Sequence, residues 1–280
     1  MTPITPGGVS AVVCTLNSIS GIESCLLSLR NSGVGQVIVV DANSIDGTAE
    51  IAAQLADLVL HDTGSGLGNA RNLGIAQSTG DLVLNMGSDN VLPPGELQKM
   101  INYLAAGGYH GVSAQTKISG EGYIAEGLNV WRAGRFSEGE RPVIGTPTLF
   151  NGELLRSDPY DPERKFSDDS DLCERWARDH NSTFAISDAQ CMELGKNSWT
   201  EVKIRAEMYG VSDFEVYSRG SDLGWGNQRK FKSLTHPLFS DLITPLKKST
   251  PQQALSSLLF LTAFTGYRYW GWIKQARKSC

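Results

Sequence analysis

Four short runs in the first ninety positions predict the strands of a parallel sheet. They are rich in Val, Leu and Ile and cover residues 9–14 (VSAVVC), 36–41 (QVIVVD), 57–62 (DLVLHD) and 81–86 (DLVLNM). Nearly continuous apolar runs are typical of strands that are covered on both faces. The segments between them have helical spacing, as at Ile22, Leu26 and Leu29. Repeated strand–helix units joined by right-handed crossovers predict an α/β sandwich with ligands at the carboxyl ends of the strands.

The pattern changes after a helix predicted at about residues 94–106. A strand is expected within YHGVSAQTKI, and residues 119–147 have the Gly-rich, charged character of a long irregular region. DDSDLCERWARDH and WTEVKIRAEMYGVSDFEVYSR have helical spacing, whereas GSDLGWGNQRK has the composition of a mobile loop. A last, mostly apolar segment near the C-terminus is also expected to be helical.

Composition narrows the classes of protein that fit. The 280 residues carry 25 Lys and Arg against 30 Asp and Glu, a net charge of -5, which argues against a nucleic-acid-coating protein. Five widely spaced cysteines form no CxxC pair, which disfavours a zinc knuckle or a disulfide framework. The N-terminal residues show no secretory pattern, so a reducing cytoplasm is expected.

Polar residues stand at the predicted strand ends. Thr15 and Asn17 follow the first strand, and Asp41 ends the second. A carboxylate at this edge can accept hydrogen bonds from a nucleotide base or a ribose. The alternative is that Asp41 only begins a turn, with Ser44 or Asp46 capping the next helix.

A third polar edge is the sequence NMGSDN at residues 85–90, directly after the fourth strand. Asp89 there can hold a divalent cation against a diphosphate, because hard cations prefer carboxylate oxygen and accept substrate phosphates as further ligands. The alternative is an ordinary turn, which the tripeptide SDN also favours.

Four motifs in this order resemble those of the family 2 glycosyltransferases with the GT-A fold: VVCTLN, VVDANSIDGTAEIA, GLGNARNLGIAQSTGDLVLNMGSDNVLPP and FSDDSDLCERW. The resemblance extends over about residues 9–178. It implies a Rossmann-like mixed sheet flanked by helices, a nucleotide-sugar donor, and sugar transfer with inversion at the anomeric carbon. It also implies which residues bind the donor. Thr15, Asn17 and Asp41 would contact the nucleotide base and the ribose, with Asn43 and Ser44 nearby. Arg71 would contact the nucleotide base or the diphosphate.

One departure from the family concerns its D-x-D element, which falls on Gly87, Ser88 and Asp89. In the family the last Asp is the usual metal ligand, and the first commonly serves the ribose and metal-bound water. The resemblance therefore implies that Ser88 and Asp89 contact the donor and that Asp89 alone binds Mn²⁺ or Mg²⁺. With Gly87 in place of the first carboxylate, we expect this metal site to be weakened, with Asn90 or a water supplying part of the missing shell.

The family's acidic pair falls on Asp168 and Asp169, and its second member is the usual general base. The resemblance thus implies that Asp169 takes the proton of the acceptor hydroxyl. The alternative is a helix start enriched in acids that favour the macrodipole. For Asp171 we adopt that alternative, with an i,i+4 pair to Arg175.

The resemblance divides the chain into three expected parts. Residues 1–120 would bind the nucleotide sugar, 121–215 would hold the acceptor and the base, and 216–280 would form a C-terminal loop and an amphipathic or membrane-associated helix. The implied activity is hexosyl transfer to a hydroxyl of a glycan or lipid-linked acceptor. A catalytically silent, donor-binding relative is the alternative because of Gly87. A third hypothesis is a sugar-phosphate nucleotidyltransferase, but this sequence has no Gly-rich, Arg-Lys loop directly after the first strand to support it.

The C-terminal region offers further candidates. Arg229 and Lys230 lie in the expected loop, which can close over the donor diphosphate or remain a solvated turn. His236 is a possible extra metal ligand, although a lone His is more often structural. Residues 254–273 are mostly apolar, and the flanking aromatic and basic residues up to 278 predict peripheral contact with a membrane. The alternative is a helix docked on the protein core.

Overall fold

The computed structural model describes residues 5–62, 64, 66–162, 168–195 and 198–279. Within them the strands form one mixed sheet in the order β3-β2-β1-β4-β8-β6-β9-β5, with β7 beside β9. The strands are β1 (Val9–Thr15), β2 (Gln36–Asp41), β3 (Leu58–His61), β4 (Leu82–Gly87), β5 (Asn90–Val91), β6 (Gly111–Ile118), β7 (Gly139–Glu140), β8 (Thr148–Asn151) and β9 (Phe184–Glu193).

The four strands predicted from the hydrophobic runs form the parallel half of this sheet. β1 pairs with β2 and β4, and β2 pairs with β3, all in parallel. The crossovers are α1 (Ile22–Asn31), α2 (Thr48–Leu55) and α3 (Leu67–Ala76). The register sets Thr15 opposite Asp41 and Cys14 opposite Gly87. The polar strand ends that the sequence singled out therefore meet at one edge, as expected.

The other half of the sheet is antiparallel and was only partly predicted. β8 pairs antiparallel with β4 and β6, and β9 pairs antiparallel with β5 and β7. The prediction of a strand in YHGVSAQTKI is confirmed by β6. The helices of this part of the chain are α4 (Glu96–Gly107), α6 (Gly152–Ser157) and α7 (Asp168–Asp179). The expectation of a mixed sheet flanked by helices is confirmed.

Close packing of α3 positions the site. A Cβ at Gly74 would lie 2.5 Å from Val12 Cγ1 and 3.1 Å from Val40 Cγ2. Only a glycine lets this helix approach β1 and β2 so closely, because any side chain would overlap the two valines. Arg71 lies one turn earlier on the same helix and is buried. The packing thus places a buried guanidinium close to the sheet.

The chain divides into two compact units. Unit 1 contains Met1–Lys117 and Glu138–Leu194, and unit 2 contains Ile118–Ser137 and Gly195–Cys280. These boundaries differ from the three expected parts, because the chain leaves unit 1 after β6 and returns to it before β7. All the residues implied to bind the donor, the metal and the acceptor proton lie in unit 1.

Unit 2 is helical in the described residues. Its helices are α5 (Tyr123–Arg135), α8 (Trp199–Asp222), α9 (Asn227–Pro237), α10 (Thr244–Lys248) and α11 (Pro251–Ser279), with a π-helical segment Leu238–Ile243. Two expectations were wrong. The stretch 119–147 contains α5 rather than being irregular throughout, and GSDLGWGNQRK joins the end of α8 to the start of α9 through only four residues.

One face of α11 forms part of the core of unit 2. Phe260, Leu261 and Phe264 are buried there with Trp131 of α5. Arg268, on the same helix, is buried and forms ion pairs with Asp213 (2.6 Å) and Asp241 (2.7 Å). This face of α11 is therefore docked on the protein core, as the alternative to membrane contact predicted. Among the described residues, no helix is long and apolar enough to cross a membrane.

Candidate functional site

The loop after β2 is built around the carboxylate of Asp41. Its Oδ2 accepts a hydrogen bond from the Ser44 backbone N–H at 2.9 Å, and its Oδ1 accepts one from the Ser44 hydroxyl at 2.5 Å. Asp41 is buried, so this pairing compensates for the desolvation of the carboxylate. Asp41 does form a turn, as the alternative held, and each oxygen retains a lone pair for a further donor.

Two asparagines complete this loop. Asn17 and Asn43 both have positive φ, 49° and 61°, a conformation that asparagine tolerates better than most residues. The Asn17 N–H donates to the Ser44 hydroxyl oxygen at 2.8 Å, and its Oδ1 accepts from the Ile45 N–H at 3.0 Å. Asn43 Nδ2 donates to the Asp62 carbonyl at 3.3 Å. Asn17 and Asn43 thus link the ends of β1, β2 and β3 into one frame.

Two buried oxygen atoms of this frame have no hydrogen-bond partner among the described residues. They are Oγ1 of Thr15 and Oδ1 of Asp62. Buried polar atoms are nearly always satisfied by protein, water or ligand. These two oxygens can accept hydrogen bonds from a base or ribose. Asp62 was missed by the sequence analysis, although its place at the end of the third apolar run gave the same signal that selected Asp41.

The segment Gly87, Ser88 and Asp89 begins at the last residue of β4. Ser88 Oγ donates to Ser18 Oγ at 2.9 Å, and the Gly87 N–H donates to Asn90 Oδ1 at 3.2 Å. A Cβ at Gly21 would lie 3.0 Å from the Ser88 carbonyl oxygen, so the start of α1 approaches this backbone closely. The Asp89 side chain is half-buried. The segment is therefore held on both sides, and it carries one carboxylate.

The side chains of this segment can hold a divalent cation only together with ligands from elsewhere. The described residues contain no group of three or more His, Cys, Asp or Glu that could hold a metal. Asp89 offers hard carboxylate oxygen, which Mn²⁺ and Mg²⁺ prefer, whereas Asn90 Oδ1 is already engaged by the Gly87 N–H. The chemistry of these residues thus fits a cation that has Asp89 as its one protein ligand and a diphosphate as a further ligand.

Arg71 is the centre of a second cluster, formed with the start of α7. Its Nη1 donates to Asp168 Oδ2 at 2.6 Å and to Asp169 Oδ1 at 3.0 Å, and its Nη2 donates to Thr146 Oγ1 at 2.8 Å. Burial disfavours charge on the guanidinium, but the carboxylates of Asp169 and Asp168 outweigh it and raise the pKa of Arg71. Arg71 therefore stays cationic and holds the acidic pair in place.

Asp169 has one oxygen anchored and the other open. Oδ1 accepts from Arg71 and from the Tyr160 hydroxyl at 3.2 Å. Oδ2 receives no hydrogen bond from the described residues, and it lies 3.8 Å from where a Cβ of Gly145 would be. Burial, opposed by Arg71, raises the pKa of Asp169 to about 6. The carboxylate is thus a stronger base than an exposed aspartate, with one oxygen available for a proton.

Tyr160 supports this carboxylate and was missed by the sequence analysis. Its ring is buried under the Arg71 guanidinium, 5.0 Å from the ring centroid. Its hydroxyl accepts from Asn85 Nδ2 at 3.0 Å while donating to Asp169. Asn72 of α3 fixes the Tyr160 backbone through two hydrogen bonds, of 2.7 and 3.0 Å. A tyrosine in a Pro-rich loop carries no periodic signal, so only the fold could locate it.

The remaining sequence candidates lie elsewhere. Asp171 pairs with Arg175 at 3.0 Å, which confirms the i,i+4 pair. Arg229 and Lys230 belong to α9 of unit 2, where the Arg229 guanidinium stacks 4.3 Å from the Trp225 ring. His236 is near the end of that helix, and the described residues contain no group of three or more possible metal ligands to which it could belong. The motif FSDDSDLCERW begins in residues 163–167, which lie outside the described part of the chain.

Two solved structures have folds similar to this one. A mannosyltransferase from Pyrobaculum calidifontis in complex with GDP-Man and Mn²⁺ has a TM-score of 0.64 at 19% identity, over 97% of this chain and 88% of that one. Residues 1–349 of Staphylococcus aureus TarS in complex with UDP-GlcNAc give 0.53 at 16% identity, over 96% and 89%. At these identities the comparison shows the fold alone, and that fold is GT-A.

Curated relatives match only part of the chain. The putative glycosyltransferase EpsH of Bacillus subtilis is 32% identical over 100 residues, which are 33% of this chain and 29% of EpsH. The glycosyltransferase AglJ of Haloferax volcanii is 29% identical over 107 residues, 38% of this chain and 35% of AglJ. The match thus spans about a third of each relative. The model of the family described as Glycosyl transferase family 2 matches residues 10–151, just over half of the sequence, and the chain therefore belongs to that family.

Proposed function

We propose that the protein is an inverting glycosyltransferase that moves a hexose from a nucleoside diphosphate sugar to a hydroxyl of a glycan or lipid-linked acceptor. The observation that carries the proposal is the Asp169 carboxylate, whose Oδ1 is anchored by Arg71 and Tyr160 and whose Oδ2 receives no hydrogen bond from the described residues. Family membership adds the sugar-transfer chemistry. A UDP or GDP sugar is the proposed donor, because similar folds are known in complex with GDP-Man and UDP-GlcNAc.

The frame at the ends of β1, β2 and β3 is the proposed nucleoside site. Asp41 and Asn17 hold the loop that carries Asn43 and Ser44. Thr15 Oγ1 and the lone pairs left on Asp41 accept hydrogen bonds from the ribose or base. Ser88 and Asp89 face the diphosphate. A divalent cation held by Asp89 would neutralise charge that develops on the leaving diphosphate.

The proposed chemistry is a single displacement at the anomeric carbon. The acceptor oxygen forms a bond to C1 as its proton passes to Asp169 Oδ2, and the bond from C1 to the diphosphate oxygen breaks with its electrons on the phosphate. Attack opposite the leaving group inverts the anomeric configuration. Arg71 keeps Asp169 fixed, since its guanidinium is committed to both carboxylates and Thr146. In this proposal Arg71 acts on the general base Asp169, whereas the family resemblance implies a contact with the nucleotide base or the diphosphate.

The test is incubation of the purified chain with a panel of nucleotide sugars and acceptors, followed by chromatography. Release of nucleoside diphosphate with formation of a glycosylated product supports the proposal, and the anomeric proton coupling of that product reports inversion. A donor that binds and stays intact with every acceptor favours the catalytically silent relative, for which the absent carboxylate at Gly87 is the argument. Release of pyrophosphate would indicate nucleotidyl transfer.

Tyr160→Phe is expected to shift the acid limb of the pH–rate profile to higher pH. The hydroxyl donates to ionised Asp169 and so lowers its pKa, an effect that the variant removes. It also leaves the Asn85 Nδ2 donor buried without its partner, which costs about 1–3 kcal/mol of folding free energy. Donor turnover measured between about pH 5 and pH 9 checks the shift.

Tyr109→Phe is the control, since the contact of the Tyr109 hydroxyl with Glu140 is exposed and long, at 3.5 Å. An unshifted limb in Tyr160→Phe, with unchanged melting temperature, would show that this hydroxyl does not act on the base.

The compartment follows from the same proposal. We place the protein at the cytoplasmic face of a membrane, where nucleotide sugars are available to a lipid-linked acceptor. None of Cys14, Cys25, Cys173 and Cys191 forms a disulfide, which suits a reducing compartment. Burial raises the pKa of Cys14 and Cys173 to about 12, so neither is a reactive thiolate.

A further inference from the structure

The outward face of α11 carries exposed apolar side chains in the first and last thirds of the helix. Leu255, Leu258, Leu259, Trp270 and Ile273 are exposed, and the exposed fractions of Leu255 and Leu259 are 79% and 77%. At helical spacing these residues form one stripe, opposite the face that is buried in unit 2. At 1.5 Å per residue the stripe extends over about 27 Å, with Thr262 and Gly266 exposed between Leu259 and Trp270. Between residues 251 and 273 the helix carries one charged side chain, Arg268, which is buried and ion-paired.

The neighbouring helix α9 extends this face. Tyr269 of α11 donates its hydroxyl proton to the Leu234 carbonyl at 2.8 Å, so the two helices lie side by side. Phe231 of α9 is 66% exposed. Leu234 of α9 and Leu238, the first residue of the π-helical segment that follows it, are also exposed, three and seven residues further along. The spacing i, i+3, i+7 places the three on one side. We call the α11 stripe and these three residues the apolar face of unit 2.

Positive charge is concentrated in the same part of the chain. Residues 223–280 contain nine Lys and Arg and one acidic residue, Asp241, whereas the other 222 residues contain 16 Lys and Arg against 29 Asp and Glu. Asp241 is buried and paired with Arg268 and Arg135. The acidic net charge of the whole protein therefore masks a C-terminal segment with a formal charge of +8, from nine positive and one negative side chains.

We propose that the apolar face of unit 2 docks on a lipid bilayer that contains anionic headgroups. Exposed Leu, Phe and Trp side chains insert at the level of the headgroups, and the basic residues of α9 and of the end of α11 face the negative surface. A second copy of the chain is a poorer occupant, because two such segments would bring like charges together. The link from this surface to a lipid-linked acceptor rests on the proposed function, whereas the surface itself is argued from exposure and charge.

The structure also changes how this surface can be tested. Deleting residues 250–280 would remove Phe260, Leu261 and Phe264 from the core of unit 2, so loss of binding in that truncation would report unfolding. Point changes at exposed positions avoid this. Leu255→Ser with Leu259→Ser removes apolar contact, and Lys232→Gln with Lys278→Gln removes charge, all at exposed residues.

The experiment is flotation of the full chain with vesicles of phosphatidylcholine alone or mixed with phosphatidylglycerol. The parent is expected to bind the mixed vesicles, more weakly at high salt, and to bind the neutral ones poorly. The leucine pair and the lysine pair should each weaken binding about tenfold or more. Leu27→Ser, at an exposed position on α1 of unit 1, is the matched control and should bind as the parent does.

Three outcomes overturn the proposal. The first is that the double leucine variant binds vesicles as well as the parent does, and the second is that the parent binds neutral and anionic vesicles equally. The third is that the parent is a dimer, the double leucine variant is a monomer, and neither binds vesicles. Donor hydrolysis without lipid separates this surface from the proposed function. A parent that hydrolyses donor and never binds vesicles refutes only the surface, and one that binds vesicles and turns over no donor refutes only the function.

Discussion

Asp169→Asn is expected to lower turnover by about 10²-fold or more while leaving nucleoside diphosphate binding nearly unchanged. The amide has the shape of the carboxylate, so it can stay beside Arg71 and Tyr160, but it cannot take up the acceptor proton at Oδ2. Asp169 lies at the start of α7, whereas the proposed nucleoside frame is formed at the ends of β1, β2 and β3. Initial rates and calorimetric titration with UDP and GDP measure the two quantities separately.

The pH dependence of the parent tests the same residue. Because the pKa of Asp169 is raised to about 6, turnover should fall as the pH drops through that value and the base becomes protonated. The raised pKa also means that Asp169 contributes stability below its unfolded pKa and loses that contribution as the pH rises through about 6. Asp169→Asn should therefore not lower the melting temperature in neutral buffer, where the parent carboxylate is ionised.

Asp171→Asn is the matched control for this prediction. It makes the same chemical change in the same first turn of α7, but Asp171 forms its ion pair with Arg175 at 3.0 Å. We expect its turnover to stay within a few-fold of the parent. If Asp169→Asn were as active as the parent while Asp168→Asn or Asp171→Asn was inactive, the assignment of the base would be wrong.

The parallel half of the sheet was predictable because its signals are local. Each strand is a short apolar run buried on both faces, and Gln36–Asp41 appears in the structure with the bounds that the pattern gave. The positions of Asp41 and Asp89 followed from a rule of topology, that carboxyl ends of parallel strands meet. Asp41 ends β2 and Asp89 follows β4, the two strands that flank β1, although the residues are 48 positions apart in the chain. No local propensity contributes to that arrangement.

The antiparallel half and the supports of the base could not be predicted in this way. β9, FAISDAQCME, mixes Ser, Asp and Gln with apolar residues, and its place in the sheet depends on pairing with β5 and β7. α5 was hidden by glycines that its packing requires, since a Cβ at Gly127 would lie 2.3 Å from the Phe260 ring. Tyr160 and Asp62 act through contacts with residues remote in sequence, so the chain alone does not indicate their roles.

Divalent metal binding is expected to depend on nucleotide and on Asp89. The described residues supply no cluster of three ligands, so Mn²⁺ or Mg²⁺ should bind the free protein very weakly. A nucleoside diphosphate adds phosphate oxygens that complete the shell, which should create measurable metal binding. Calorimetric titration of Mn²⁺ with and without UDP or GDP measures this dependence, and Asp89→Ala should abolish the nucleotide-assisted binding.

Two variants make this result specific. Asp81→Ala removes an exposed carboxylate just before β4, at the opposite end from Asp89, and should leave metal binding unchanged. Gly87→Asp restores the carboxylate that the family pattern has and should retain or strengthen binding. Its Cβ would lie 2.9 Å from both Asp89 Oδ1 and Asn90 Oδ1, so both side-chain ends must shift, and the hydrogen bond from the Gly87 N–H to Asn90 Oδ1 shifts with them. Tight Mn²⁺ binding without nucleotide, or full activity in excess chelator, would instead mean that other residues hold the metal or that cationic side chains alone neutralise the leaving diphosphate.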